Sequence, residues 1–220
     1  MKNIIIFGSG VYAKLLFYEI SELKEFKILG FIDKTRKKNT TIVKFGKKKF
    51  KILGKVENLN KKNLYGIIAI GDNYKRFKIY NEVKKKFKKF NWAKIISKNS
   101  IINKPVKIGC GAVILSNVVV NSGSRIGSHC IINTSNSIDH DNIFEDFSST
   151  GPRVVTGGNV QIGKFSFLGI GSIIIHKIKI KRNTIIGGNS FVNKNCFSNS
   201  IYFGSPAKKV KSRKLGDIYL

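Results

Sequence analysis

From Ile102 to Val192 the chain sets an inward-facing type of residue at every sixth position. Stepping from Ile102 gives Ile108, Ile114, Val120, Ile126, Ile132, Ile138, Phe144, Thr150, Thr156, Ile162, Leu168, Ile174, Ile180, Ile186 and Val192. Thirteen of the sixteen are aliphatic, far too regular for chance. The residue after each is usually Gly or Asn, and the fourth after is mostly small, as at Ala112, Ser124, Cys130, Ser166, Ser172, Ser190 and Cys196. A helix repeats near 3.6 residues and a simple strand at 2, so neither produces a strict six. Short strands joined by tight corners and stacked into a parallel β-helix do. The aliphatic residue points inward, Gly or Asn is expected to supply the unusual corner angles, and coils about 4.8 Å apart pair their backbones along the axis.

The remaining sequence, residues 1–95, alternates strand and helix patterns. Asn3 to Phe7 reads as a buried strand, and Ala13 to Lys24 as a helix with Leu15, Leu16, Ile20 and Leu23 at helical spacing. Ile28 to Ile32 is a second strand ending in Asp33, followed by a basic, polar excursion from Lys34 to Lys51. Val56 to Asn60 is helical or loop, Gly66 to Ile70 a third strand, Tyr74 to Phe87 a helix, and Trp92 to Ile96 a short strand into the repeat. Such alternation predicts a small parallel sheet covered by helices.

Gly8-Ser9-Gly10 with Ala13 matches G-x-G-x-x-A, and Asp33 stands 23 residues beyond Gly10. Backbone N–H groups at a helix start hold phosphate, and a carboxylate at the end of the second strand takes ribose hydroxyls. About 95 residues make only half of a full dinucleotide domain, so a nucleoside diphosphate fits better than NAD.

The chain carries 41 Lys plus Arg against 12 Asp plus Glu, a net charge of +29. The excess is nearly all Lys and runs through both halves, as a general residue bias would produce, and it also attracts anionic small molecules. No nucleic-acid module is recognisable, so nucleic acid is not an expected partner. Cys110, Cys130 and Cys196 are odd in number and lack CxxC spacing, which predicts buried, reduced thiols and a cytoplasmic location. The first ten residues hold only four consecutive strong apolar residues, too few for an integral membrane segment.

The order of a G-x-G domain, a Gly71-Asp72-Asn73-x-x-Arg76 segment and a hexad repeat resembles the bacterial nucleotide-sugar N-acetyltransferases of the UDP-4-amino-sugar, bacillosamine-pathway type. Their relatives include the sialic-acid O-acetyltransferases and perosamine N-acetyltransferases. The resemblance spans essentially the whole chain. It implies an α/β N-terminal Rossmann-like half-domain at residues 1–95 and a left-handed parallel β-helix at 96–220, with three hexads per turn. Handedness rests on the resemblance alone, because ordinary crossovers are right-handed. It further implies acetyl-CoA as co-substrate, a homotrimer with acetyl-CoA sites between neighbouring prisms, and nucleotide contacts from Gly8, Ser9, Gly10, Asp33, Gly71, Asp72, Asn73 and Arg76.

Of the three histidines His129, His140 and His176, His140 lies between Asp139 and Asp141, just before Phe144, Thr150 and Thr156 break the aliphatic series. A local break in a consistent pattern marks a functional site. Imidazole is the side chain best suited to take a proton near neutrality, so His140 is the candidate base, with Asp141 orienting it. Gly158, 18 residues on, stands one turn above and offers an N–H to a tetrahedral oxyanion. The resemblance assigns Asn133 to the active site, and puts Ser149 where relatives often carry a second His. His140 and His176 would stand about 10 Å apart, too far to share a metal, and no metal is expected. Ile201 to Lys208 resembles the segment with which these enzymes end, which gives Gly187, Gly188, Asn189, Pro206, Ala207 and Lys208 to coenzyme A. The competing readings are a sugar O-acetyltransferase and a non-catalytic nucleotide-binding trimer.

Overall fold

The computed structural model describes residues 1–59 and 63–219, in two compact units: Met1–Gly71 with Lys75–Ile95, and Asp72–Tyr74 with Ile96–Leu220. The first unit contains β1 (Lys2–Phe7), α1 (Val11–Ser21), β2 (Phe26–Ile32), β3 (Thr41–Phe45), β4 (Lys48–Gly54), β5 (Leu64–Ile68), all but the first two residues of α2 (Asn73–Lys86), and β6 (Asn91–Trp92). The sheet runs β3-β4-β2-β1-β5-β6. β1 is central and parallel to both β2 and β5. Covered on both faces, it spends Ile4, Ile5, Ile6 and Phe7 entirely on the core. Because β2 lies on one side of β1 and β5 on the other, a crevice opens beyond their carboxyl ends, the usual ligand position in such sheets.

The polar excursion expected at 34–51 holds a β-hairpin, so the sheet is mixed rather than wholly parallel. β3 and β4 pair antiparallel around Gly46-Lys47, with Gly46 at φ +56°, a conformation glycine adopts freely. Lysine at most outward positions concealed the strand pattern, and only Ile42, Val43, Ile52 and Gly54 of the two strands are buried. Val56–Asn58 is a single 3-10 turn, while Asn60 lies outside the described residues.

In the second unit all sixteen hexad residues are the second member of a two-residue strand, from Ile101–Ile102 to Phe191–Val192. One more strand, Ile95–Ile96, precedes them. Three parallel sheets result, in which each residue pairs with the one 18 positions away, as Val119 with Ser137 and Ser137 with Val155. The hexad side chains fill a single core from Ile114 to Val192. Each fully buried aliphatic contributes roughly 1.5–3 kcal/mol, which repeats up the stack.

The corners work differently from expectation. From Ile108 to Ile186 positive φ falls on the third residue after each inward one, as at Asn117, Gly123, His129, Ser135 and Asp141, and not on the first. The glycines in first position are there for space. A Cβ on Gly109 would stand 2.5 Å from the Ser128 nitrogen, and one on Gly157 2.7 Å from that of His176. The thiols also divide: Cys130 and Cys196 are buried, but Cys110 is exposed because it sits in the outward part of a corner. After the last hexad, Ser200–Phe203 continues one sheet in parallel and Lys208–Ser212 adds an antiparallel edge. Among the described residues no helix is long and apolar enough to cross a membrane.

Candidate active site

His140 occupies the corner between strands Ser137–Ile138 and Ile143–Phe144. Its backbone is fixed from three sides. Asp139 Oδ1 accepts from the His140 N–H at 2.8 Å and from Asn121 Nδ2 at 3.2 Å, while Asn121 Oδ1 accepts from Asn103 Nδ2 at 2.9 Å. This ladder of amides along the corner, led by the His140 N–H, holds the Asp139 carboxyl below its usual pKa. From inside, fully buried Asn142 donates Nδ2 to the carbonyls of Asp139, His140 and Gly157. Ser124 Oγ also donates to the Asp139 carbonyl at 2.9 Å.

The ring of His140 is exposed, and its Nδ1 lies 2.8 Å from Asp141 Oδ2. A carboxylate only accepts, so Nδ1 carries the proton and Nε2 presents a lone pair. The hydrogen bond to Asp141 is the main reason that the imidazole's pKa is raised, with the charges of Asp139 and Asp141 adding to it. Nε2 lies against Gly158, where a Cβ would come within 2.4 Å of it. Asp141, at φ +56°, lies in the same way on Gly123, where a Cβ would stand 2.0 Å from Oδ1. Two glycines, one coil above and one below, thus let the pair lie flat along the prism wall.

Gly158 has a further property. At the equivalent corner position the N–H of Ser128, Thr134, His140 and Lys164 is capped by a side-chain oxygen, from Asp146, Asn133, Asp139 and Glu145 respectively. Among the described residues no backbone or side-chain acceptor takes the Gly158 N–H. It is an unused backbone donor next to the ring, the kind of group that can meet a negatively charged oxygen.

Asn133 is not brought to His140 within one chain. It lies at the preceding corner, across the whole strand Ser137–Ile138, where its Oδ1 caps the Thr134 N–H at 2.8 Å. Here Thr150 explains part of the broken hexad series, since its hydroxyl, rather than its carbonyl, accepts the Asn133 N–H at 2.9 Å. Gly187, Gly188 and Asn189 stand on this same edge three coils higher, joined by the tail through the Ala207 N–H to the Phe191 carbonyl at 2.7 Å. Pro206 is in the cis form and Lys208 is exposed. Gly187 answers to a protein contact, because its Cβ would overlap the Phe203 ring at 1.9 Å. His129 is buried and stacked on Phe147 with ring centres 4.9 Å apart, and His176 is exposed on the His140 edge. A hollow of about 530 Å³ in this unit is lined by Lys107, Arg125, Glu145 and their neighbours and does not include His140.

In the first unit Gly8 turns at φ +103°, Ser9 Oγ donates to Asp33 Oδ2 at 2.6 Å, and Thr35 donates through N–H and hydroxyl to Asp33 Oδ1. Partial burial pushes the Asp33 pKa up, but these hydrogen bonds outweigh it and leave the carboxyl below its ordinary value. A carboxylate has about four acceptor positions, so one remains open. No protein atom lies within 4 Å of the place where a Cβ of Gly10 would be. Beside Gly8 and Asp33 is a pocket of about 290 Å³ with an apolar floor of Phe7, Ile32, Val56, Ile70 and Ile79 and a rim that includes Lys75 and Lys78.

Two predicted nucleotide contacts are occupied within the protein. The Arg76 guanidinium is buried and donates to the carbonyls of Ile70 and Gly71 at 2.9 and 2.8 Å, so it shapes the loop after β5. Asn73, buried in the second unit, donates to the carbonyls of Phe165 and Ser166 and accepts from Ser149 Oγ at 2.6 Å. Asn73 and Ser149 therefore satisfy each other. Gly71 and Asp72 are half-buried, and sequence alone had given no sign of Asn142 or Gly123.

The PglD N-terminal domain family matches residues 3–83. Among solved structures, the acetyltransferase domain of PglB from Neisseria gonorrhoeae FA1090 is 22% identical, with a TM-score of 0.86 over 96% of this chain and 100% of that one. Perosamine N-acetyltransferase from Caulobacter crescentus, solved as a histidine-to-asparagine mutant with CoA and GDP-perosamine, is 24% identical, with a TM-score of 0.87 over 96% and 97%. WeeI from Acinetobacter baumannii AYE is 20% identical, with a TM-score of 0.82 over 94% and 99%. Residues 3–83 thus match the PglD N-terminal domain, and nearly the whole chain shares the fold of these three structures.

Proposed function

We propose that the protein transfers the acetyl group of acetyl-CoA to the amine of a nucleotide-linked amino sugar, of the UDP-4-amino-4,6-dideoxy type, in surface glycan synthesis. The observation that carries this is the His140-Asp141 pair lying over Gly158. Nε2 takes the proton of the attacking amine, the amine nitrogen bonds to the thioester carbonyl carbon, and the Gly158 N–H meets the oxyanion. Collapse of the tetrahedral species expels the CoA thiolate and leaves an amide. Asp141 supports the imidazolium formed on the way. No covalent acyl-enzyme is needed, since the amine attacks directly.

The nucleotide is held in the first unit. Gly8 and the open backbone of Gly10 face its phosphates, Asp33 takes a ribose hydroxyl, and the apolar pocket floor takes the base. That relatives of this fold were solved with CoA and GDP-perosamine supports the same pairing of ligands here.

The active protein is a homotrimer. The sheet between the His140 corner and the Asn133 corner turns Ile101, Val155 and Ile173 outward at 56%, 43% and 47% exposure, an apolar stripe on a wall that is otherwise polar. Packing three such faces around an axis sets the His140 edge of one protomer beside the edge of the next that carries Asn133, Gly188, Asn189 and the tail from Pro206 to Lys208. Acetyl-CoA then binds between protomers, with Lys208 toward its phosphates.

Purified protein mixed with acetyl-CoA and a panel of UDP-, dTDP- and GDP-linked amino sugars should release thiol and yield an amide stable to mild base. A base-labile ester would mean O-acetylation, and nucleotide binding without thiol release would mean a binding protein.

A further inference from the structure

The β3–β4 hairpin carries a concentration of charge that a general lysine bias does not produce. Between residues 34 and 51 there are nine cations, Lys34, Arg36, Lys37, Lys38, Lys44, Lys47, Lys48, Lys49 and Lys51, and no acid. Half the residues of this stretch are cationic, against 41 of 220 in the chain. All nine are exposed; Lys34 lies 3.8 Å from Glu82 and the charge of Arg36 acts on Asp33, while among the described residues the other seven have no carboxylate partner.

The register arranges these charges around an aromatic tip. Phe45 pairs with Lys48 and Lys44 with Lys49, so the lysines flank the turn on both faces of the ribbon. Phe45 rests on Phe17 and Tyr18, with ring centres 6.0 and 6.1 Å away, yet is 49% exposed, and Tyr18 is also half-exposed. Lys84, Lys85, Lys86, Lys88 and Lys89 form a second dense cluster, but its aromatic neighbour Phe87 is stacked on Phe90 and partly buried. Exposed aromatic rings ringed by lysine suit the interface of an anionic bilayer, where rings enter the headgroup layer and ammonium groups meet lipid phosphates.

We infer that the hairpin tip is a docking surface for an anionic membrane, which it enters Phe45 first. Nucleic acid is the weaker partner for it: eight of the nine cations are Lys, which lacks the planar fork used to read or stack on bases, and the two rings are too few for a stacking platform.

Co-sedimentation with vesicles of phosphatidylcholine, alone or mixed with phosphatidylglycerol, tests this on the full chain. Wild type should bind the mixed vesicles and not the neutral ones. Replacing Lys44, Lys47, Lys48 and Lys49 with Gln should weaken binding roughly a hundredfold or more. Removing the same charge at Lys84, Lys85, Lys88 and Lys89 should change it about twofold or less. The Phe45→Ser variant should lose several-fold with charge unchanged, and the emission of Phe45→Trp should shift to the blue on mixed vesicles, a readout that does not depend on Ser being tolerated. Equal losses for the two lysine sets, no Trp shift, or full displacement by a short RNA with Phe45→Ser as tight as wild type would each overturn the proposal.

Discussion

As the proposed base His140 works only when neutral, and its bond to Asp141 raises the pH at which that form prevails. The acid limb of kcat/KM should therefore lie above the ordinary histidine value of about 6.5. In Asp141→Asn the support for the charged ring is lost and the limb should move to lower pH, with kcat reduced. His140→Ala should keep its circular dichroism spectrum and lose about 10²–10⁴ in kcat. Near-normal turnover would remove His140 from the mechanism. Gly158→Ala puts a methyl 2.4 Å from Nε2, so the ring must swing away, and kcat should fall about tenfold or more while the coil persists. Asn142→Leu takes a donor from three carbonyls; that of Asp139 keeps Ser124 Oγ and that of His140 keeps the Asn159 N–H, but that of Gly157 is left bare among the described residues, and the denaturation midpoint should report a loss of about 1–3 kcal/mol. That His140, Asp141 and Gly158 stand together was legible, because a His-acid pair at a break in the hexads, plus a count of 18, needs no coordinates. Asn142 was not, since it fills a small-residue slot and looks like any polar substitution there.

At the level of elements, the turn from β1 to α1 and the end of β2 act together through the Ser9 to Asp33 bond. Asp33→Ala should raise KM for the nucleotide sugar about tenfold or more, as expected for the loss of a charged hydrogen bond, with little change in kcat. Equilibrium titration with the bare nucleotide should show the same weakening. The strands and helices of this unit could be placed from their apolar spacing to within a few residues. The β3–β4 hairpin could not, because lysine covers its outward positions and the eye reads such a run as loop. The segment after β5 holds more than its residue types show: Asn73 and Arg76 suit a ligand by type, and in the fold Asn73 bonds to Ser149 and two carbonyls while Arg76 closes its own loop. Residue chemistry is visible in sequence, whereas prior occupation by a protein partner is not.

For the whole molecule, assembly and turnover should fail together. In the proposed trimer, Ile173→Asp or Val155→Asp would set like charges against each other around the axis while leaving the inward Ile174 and Thr156 in place. Sedimentation should give monomers that still bind nucleotide and no longer transfer acetyl groups. Trimers of normal activity would sink the interface. The pairing of each residue with the one 18 positions on also governs how such a chain can change length. Removing or inserting six residues between His140 and Gly158 would turn everything beyond it by a third of a revolution and carry the glycine to another wall. Adding eighteen below Asn121 would raise the site one storey and keep Gly123, Asn142 and Gly158 around His140, though Asn73 would lose its bonds to Ser149, Phe165 and Ser166. A gene of this kind can grow or shrink beneath its chemistry only in whole turns.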